Sequence, residues 1–190
     1  LRLDHLAYRV KDRIKTASFF CSTLHYKVGD EFTIDFDDGS QAKCVALVPP
    51  EKPPANHPVP WQTLDLEVYG SDDEFKEYVD YHMAPEIFVS DGSPESIVGQ
   101  WVAERNGVGG IHHLAYQVDS VEDTMRDWKN KGYAEFTTDK PLTCPGLVQC
   151  FTQPSELTGV IYEFIERGED SKGFCRANVK QLMESTRNDN

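Results

Sequence analysis

The chain has 190 residues, 19 of them Lys or Arg and 32 Asp or Glu, for a formal net charge of −13. With 39% hydrophobic residues it can bury the core of one large domain, while the lack of a basic stripe argues against nucleic acid as a partner. No apolar run approaches the roughly 20 residues that cross a bilayer and no charged-then-apolar leader opens the chain, so a soluble protein without a membrane partner is expected.

In chain order, the first strand-like segment runs from Asp4 to Val10. Over Asp12 to Leu24, Ile14, Ala17, Phe20, Cys21 and Leu24 recur at helical spacing. Strand-like runs come next at Glu31 to Phe36, Ala42 to Val48 and Thr63 to Tyr69, with a Pro-rich loop over Pro49 to Pro60. Asp72 to His82 and Pro94 to Arg105 are predicted helical, and Asn106-Gly107 ends the second of them. The turn Gly107-Val108-Gly109-Gly110 launches a further strand, and Val121, Met125 and Trp128 mark a helix over Ser120 to Lys131. Strands are predicted at Ala134 to Thr137, Leu147 to Thr152 and Gly159 to Ile165. After a polar break at Glu169 to Gly173, the residues Phe174, Val179, Leu182 and Met183 make a closing amphipathic helix.

The five cysteines, Cys21, Cys44, Cys144, Cys150 and Cys175, are odd in number and form no C-x-x-C pair. That pattern suits reduced thiols and a cytoplasmic location. No GxGxxG phosphate loop and no G-x-S-x-G elbow is present, and Cys21 near His25 is read as packing rather than as a nucleophile.

The most informative feature is an internal repeat. Asp4-His5-Leu6-Ala7-Tyr8-Arg9-Val10 returns as His112-His113-Leu114-Ala115-Tyr116-Gln117-Val118, identical at His, Leu, Ala, Tyr and Val. The segments after the two copies also correspond, so the chain reads as βαβββ twice, an α+β arrangement within a single domain, 1–190. Module one covers about 1–70, a connecting helical segment about 71–107, module two about 108–167 and a C-terminal helix about 174–187.

Period-two alternation sorts side chains by face. It sets Leu6, Tyr8 and Val10 under the helix and His5 with Leu3 and Ala7 on the other face; in the second copy it selects His113 with Ala115, and not His112. In the last strand of each half it places Glu67 and Glu163 opposite the core side chains. Either His alone would be read as a hydrogen-bonded core residue, but two repeat-related imidazoles with one or two carboxylates are a donor set for Fe(II), Mn(II), Co(II), Ni(II) or Zn(II), too nitrogen-rich for calcium. Glu163 lies in the apolar run Gly159-Val160-Ile161-Tyr162-Glu163-Phe164-Ile165, where a charge needs a metal or cation beside it. Glu67 follows Asp65 in a more polar segment and is read equally as a ligand or as a solvated acid.

Paired βαβββ modules with His on each first strand and Glu on each last strand resemble the vicinal oxygen chelate superfamily, which includes glyoxalases, methylmalonyl-CoA epimerases and ring-cleaving dioxygenases. Within it, Gly146-Leu147-Val148-Gln149-Cys150-Phe151-Thr152-Gln153-Pro154 and Ile161-Tyr162-Glu163-Phe164-Ile165-Glu166-Arg167 are similar to the LLQ-x-FT-x-P and FFEII-x-R stretches of the 4-hydroxyphenylpyruvate dioxygenase family. Gly107 to Ala115 is similar to that family's G-x-GVQHIA, and Gly173 to Leu182 to its GFG-x-GNFKAL. The resemblance implies a half-open mixed β-barrel around a metal, with His5, His113 and Glu163 holding Fe(II), Gln149 touching substrate and Phe174 on a helix that lids the site. It further implies oxidative decarboxylation of a small, aromatic α-keto acid, with O2 as the second partner, and is compatible with a homodimer.

Four departures leave the substrate open. The family carries an additional metal-free domain in front, its Asn-Ser pair is not evident at Phe32 to Phe36, and its N-E-P motif is not found. His112 also replaces the Gln of QHIA. The alternative implied by the epimerase and glyoxalase branches is a redox-neutral isomerase or lyase in which Glu67 is a fourth ligand. A metal-free binding or resistance protein on the same scaffold is a third.

Overall fold

The computed structural model describes residues 2–49, 84–168, 171 and 173–187. Among the described residues, one eight-stranded mixed sheet curls into a half-barrel, in the order β2-β3-β4-β1-β5-β8-β7-β6. Its strands are β1 (Arg2–Val10), β2 (Lys27–Asp35), β3 (Gln41–Val48), β4 (Glu86–Gly92), β5 (Gly109–Gln117), β6 (Leu142–Cys144), β7 (Leu147–Phe151) and β8 (Ile161–Arg167). The helices are α1 (Arg13–Leu24), α2 (Ile97–Glu104), α3 (Val121–Lys131) and α4 (Arg176–Ser185).

The repeat in the sequence is a pseudo-twofold in space. The strands β1 and β5 pair antiparallel at the centre, and β4 and β8 flank them in parallel. Each module's helix follows its first strand through a side-chain cap: Asp12 accepts from the Lys15 amide and Ser120 from the Asp123 amide. Glu122 and Asp123 in the first turn of α3, with Lys129 and Lys131 in its last, complement the helix dipole. Gly109 is needed where β5 meets β1: its φ is +83°, and a Cβ there would lie 2.1 Å from the Arg9 carbonyl oxygen.

Strand alternation gives the core two layers. On the convex face, Ala17 and Phe20 of α1 pack on Val45, Leu47, Ile87 and Val89, and Val121 and Met125 of α3 pack on Cys150 and Phe164. The concave face is covered by α4, whose Val179 and Met183 belong to one core cluster with Ala7, Cys44 and Phe88, and whose Leu182 belongs to another with Phe151 and Ile161. Burying side chains of this size contributes about 1.5–3 kcal/mol each, which fixes α4 across the mouth of the half-barrel.

Several expectations change. The strand beside β1 is Glu86–Gly92, inside the stretch expected to be a helical connection. The expected strand Thr63 to Tyr69, with Glu67, and the helix Asp72 to His82 lie outside the described residues. Ala134 to Thr137 makes no strand; Phe136 forms a single bridge to Thr152, and the edge strand is Leu142–Cys144. Cys144 and Cys175 are paired as a disulfide across 31 residues, which corrects the expectation of five reduced thiols and weakens the ground for a cytoplasmic location. Spacing could not reveal that pair, because only the docking of α4 on β6 brings it together. No helix among the described residues is long and apolar enough to cross a membrane.

Candidate metal centre

His5 on β1, His113 on β5 and Glu163 on β8 meet at the centre of the concave face. Their relative exposures are 1%, 8% and 1%, so all three are withdrawn from water. His5 Nε2 lies 3.3 Å from His113 Nε2, and Glu163 Oε2 lies 3.2 Å and 3.1 Å from those two nitrogens. A triangle of such edges is one face of a tetrahedron or octahedron whose centre is about 2.0–2.3 Å from each atom, the range for nitrogen and oxygen ligands of a divalent metal. The donor set and its geometry therefore fit a divalent ion.

Charge in the cluster is set by burial and by neighbours. Burial alone would raise Glu163, but the two imidazoles beside it hold its carboxyl down at about 2. Burial opposes protonation of His5, yet Glu163 on one side and Asp4 on the other push it up to about 9. His113 has one carboxylate against it and is pushed down by burial, and His112, buried beside Arg9, sits well below its ordinary value. Such a cluster shares a proton that an incoming cation would displace.

Around the three side chains are the residues that hold them. Gln149 Nε2 donates to Glu163 Oε1 at 2.6 Å, and Gln149 Oε1 accepts from Asn178 Nδ2 of α4 at 3.0 Å. Phe174 stands edge-on to the His5 ring at 4.9 Å and packs on Phe88 at 4.8 Å. Both residues singled out beside the ligands thus reach the site, Gln149 through Glu163 and Phe174 through His5. Apolar walls come from Phe88, Phe151, Val179, Leu182 and Met183, around a partly open cavity of about 30 Å³.

Two residues passed over in the sequence belong here. Alternation assigned His112 to the opposite face, but it is buried, lines the cavity and reaches the His113 ring. Phe88 occupies a telling register. Glu163 pairs with Ala115, two residues after His113, and the residue paired with Ala7, two after His5, is Phe88. The pseudo-twofold counterpart of the carboxylate is therefore a phenyl ring. The run Glu86-Ile87-Phe88-Val89 between Pro85 and Gly92 was the available strand signal.

The family model described as Glyoxalase/Bleomycin resistance protein/Dioxygenase superfamily matches residues 2–161. The chain belongs to this superfamily. Among solved structures, a methylmalonyl-CoA epimerase is similar to this superfamily member with a TM-score of 0.61 at 20% identity, over 89% of this chain and 97% of that one. Methylmalonyl-CoA epimerase from Mycobacterium tuberculosis gives 0.58 at 16% identity, over 88% of each. A mutant of 4-hydroxymandelate synthase from Streptomyces coelicolor gives 0.69 at 16% identity, over 98% of this chain and 53% of that one. At such identities the likeness is one of fold. No curated protein matches the sequence.

Proposed function

We propose that this superfamily member is a non-haem Fe(II)-dependent dioxygenase that decarboxylates an aromatic α-keto acid oxidatively. The observation that carries the proposal is Phe88: with a phenyl ring at the twofold counterpart of Glu163, the described residues offer the centre three protein ligands, a set that would leave positions for substrate and O2. His5, His113 and Glu163 would hold the ion, and Fe(II), when bound, would supply the redox chemistry that couples O2 reduction to decarboxylation. Gln149 keeps Glu163 in register by holding its second oxygen, and Asn178 ties that bond to α4, so closure of the helix and orientation of the carboxylate go together. Phe88, Phe151 and Phe174 form walls suited to an aromatic ring, and they keep water from the reacting atoms.

Aerobic incubation of the Fe(II)-loaded protein with a panel of aryl pyruvates should consume O2, and an anaerobic titration with the same acids should develop a visible charge-transfer band. No uptake and no band across the panel would contradict the dioxygenase proposal.

A second function is favoured by the epimerase folds that match nearly the whole chain. In a redox-neutral epimerase or lyase the metal would be a Lewis acid held by four ligands, the fourth being Glu67, which lies outside the described residues. We expect Glu67→Ala to leave the metal dissociation constant unchanged. A loss of affinity in that variant, read by chelator competition, would instead favour the four-ligand isomerase.

A further inference from the structure

We propose that Asp4 and His112, the residues immediately before the two ligand histidines, are positioning residues that two matched β-bulges turn toward those rings, fixing each imidazole with Nε2 open to the metal. The proposal deepens the metal reading above and rests on it.

In an unbroken strand, adjacent side chains leave on opposite faces, so neither residue should reach its neighbour's ring. The register between β1 and β5 breaks twice. Leu3 pairs with Tyr116 and His5 with Ala115, which leaves Asp4 as an extra residue on β1. Ala7 pairs with His113 and Tyr8 with Ile111, which leaves His112 as an extra residue on β5. A bulge re-aims the inserted side chain, and here each falls at the same point of the repeat. The internal duplication has carried the device, while the side chain it presents differs between halves.

The bonds made by the two residues are the same in kind. Asp4 Oδ1 lies 2.8 Å from His5 Nδ1, and His112 Nδ1 lies 2.9 Å from His113 Nδ1. When Nδ1 donates its proton to such an acceptor, the neutral ring has its lone pair on Nε2. The two Nε2 atoms are those that converge on Glu163 Oε2. For His112 to accept at Nδ1 its own proton must sit on Nε2, and its ring is wedged edge-on against Trp101 at 5.5 Å and beside Phe151. Asp4 is wedged in a different way: Arg167 grips both of its oxygens. One ligand thus leans on an anchored carboxylate, the other on a neutral imidazole.

A purely structural role predicts that loss of either side chain lowers stability and nothing else. A positioning role predicts a change in ring state and in metal affinity in protein that remains folded. The comparison uses His112→Leu, which has no acceptor, His112→Gln, whose amide oxygen can accept, and Asp4→Asn. Two readouts are needed: the Co(II) dissociation constant by competition with a chromophoric chelator, and the 15N shifts of the imidazole nitrogens in metal-free protein. Outer partners of ligand histidines typically account for about 10–100-fold in metal affinity. We expect His112→Leu to lose that much, with His113 divided between tautomers, and His112→Gln to recover most of it with Nδ1 again protonated. Asp4→Asn, which keeps an acceptor oxygen and loses the charge, should bind Co(II) more weakly than wild type.

Wild-type affinity and an unchanged His113 tautomer in folded His112→Leu would overturn the proposal while leaving the three ligands in place. Should that variant fail to fold, the wild-type spectrum decides, and a proton on Nε2 of His113 overturns it. A wild-type protein that binds no Co(II) overturns the metal reading, and the proposal with it.

Discussion

Replacing Glu163 by alanine should abolish divalent metal binding, by more than about 100-fold in the dissociation constant, since a ligand matters more than the outer partners that support it. Glu163 is the anion of the cluster, and its Oε2 completes the triangle with the two Nε2 atoms. Without it, two neutral imidazoles face a divalent cation in a buried, apolar cup, and nothing offsets the ion's loss of hydration. The isosteric Glu163→Gln keeps the volume and removes the charge, so it should fold as wild type and still fail to bind. Chelator competition on both variants, with thermal unfolding as the check on folding, decides the matter. A folded Glu163→Ala protein with wild-type affinity would contradict the assignment.

The second large effect is on stability. Arg167, at the end of β8, donates through Nε and Nη2 to the two oxygens of Asp4 on β1 at 2.8 and 2.9 Å, and through Nη1 to the Gly173 carbonyl at 2.7 Å. The Asp4 and Arg167 side chains are 8% and 11% exposed, so the pair is well screened from solvent. This one residue joins the first strand, the last strand and the segment leading into α4. Arg167→Met preserves the length of the side chain and strands a buried carboxylate. Removing one partner of such a pair costs about 3–5 kcal/mol, a fall in Tm of about 6–20 °C for a chain of this size. Burial would raise the Asp4 carboxyl, but its bonds from Arg167 and His5 hold it well below the usual range. Its folded value is thus depressed, so the pair's contribution is complete above the unfolded Asp value of about 4 and is lost only on stronger acidification. Thermal and urea unfolding of Arg167→Met measure the cost. A change of a degree or two would show that the pair contributes little, and neutralising both partners should recover part of the loss.

The fold was legible where the chain repeats itself. A His-Leu-Ala-Tyr core that recurs after about a hundred residues, each time ahead of a capped amphipathic helix, requires two like modules, and the central β1–β5 pair is their junction. The clustering of the candidate ligands was legible for the same reason: His5, His113 and Glu163 each sit on the concave face that alternation assigned to them. The features that escaped notice depend on register and not on composition. A bulge adds one residue to a strand without any signature in residue type, so period-two counting sent His112 to the wrong face. The strand holding Phe88 was hidden between Pro85 and Asp91-Gly92, and its short apolar run reads as helix or strand alike until its pairing with β1 is known. The Cys144–Cys175 pair and the Asp4–Arg167 pair, 31 and 163 residues apart, exist only through the closure of the sheet and its helix.

The metal binding and the chemistry proposed for this protein both require one convergence of side chains around one ion. Crystals of the protein loaded anaerobically with Fe(II), measured at the iron absorption edge, test it most directly. The expected anomalous peak lies on the concave face within bonding distance of His5 Nε2, His113 Nε2 and a Glu163 oxygen, with Phe88 beside it and no fourth side chain attached. A peak elsewhere, or an iron site to which those three atoms do not bond, would contradict the assignment of this centre.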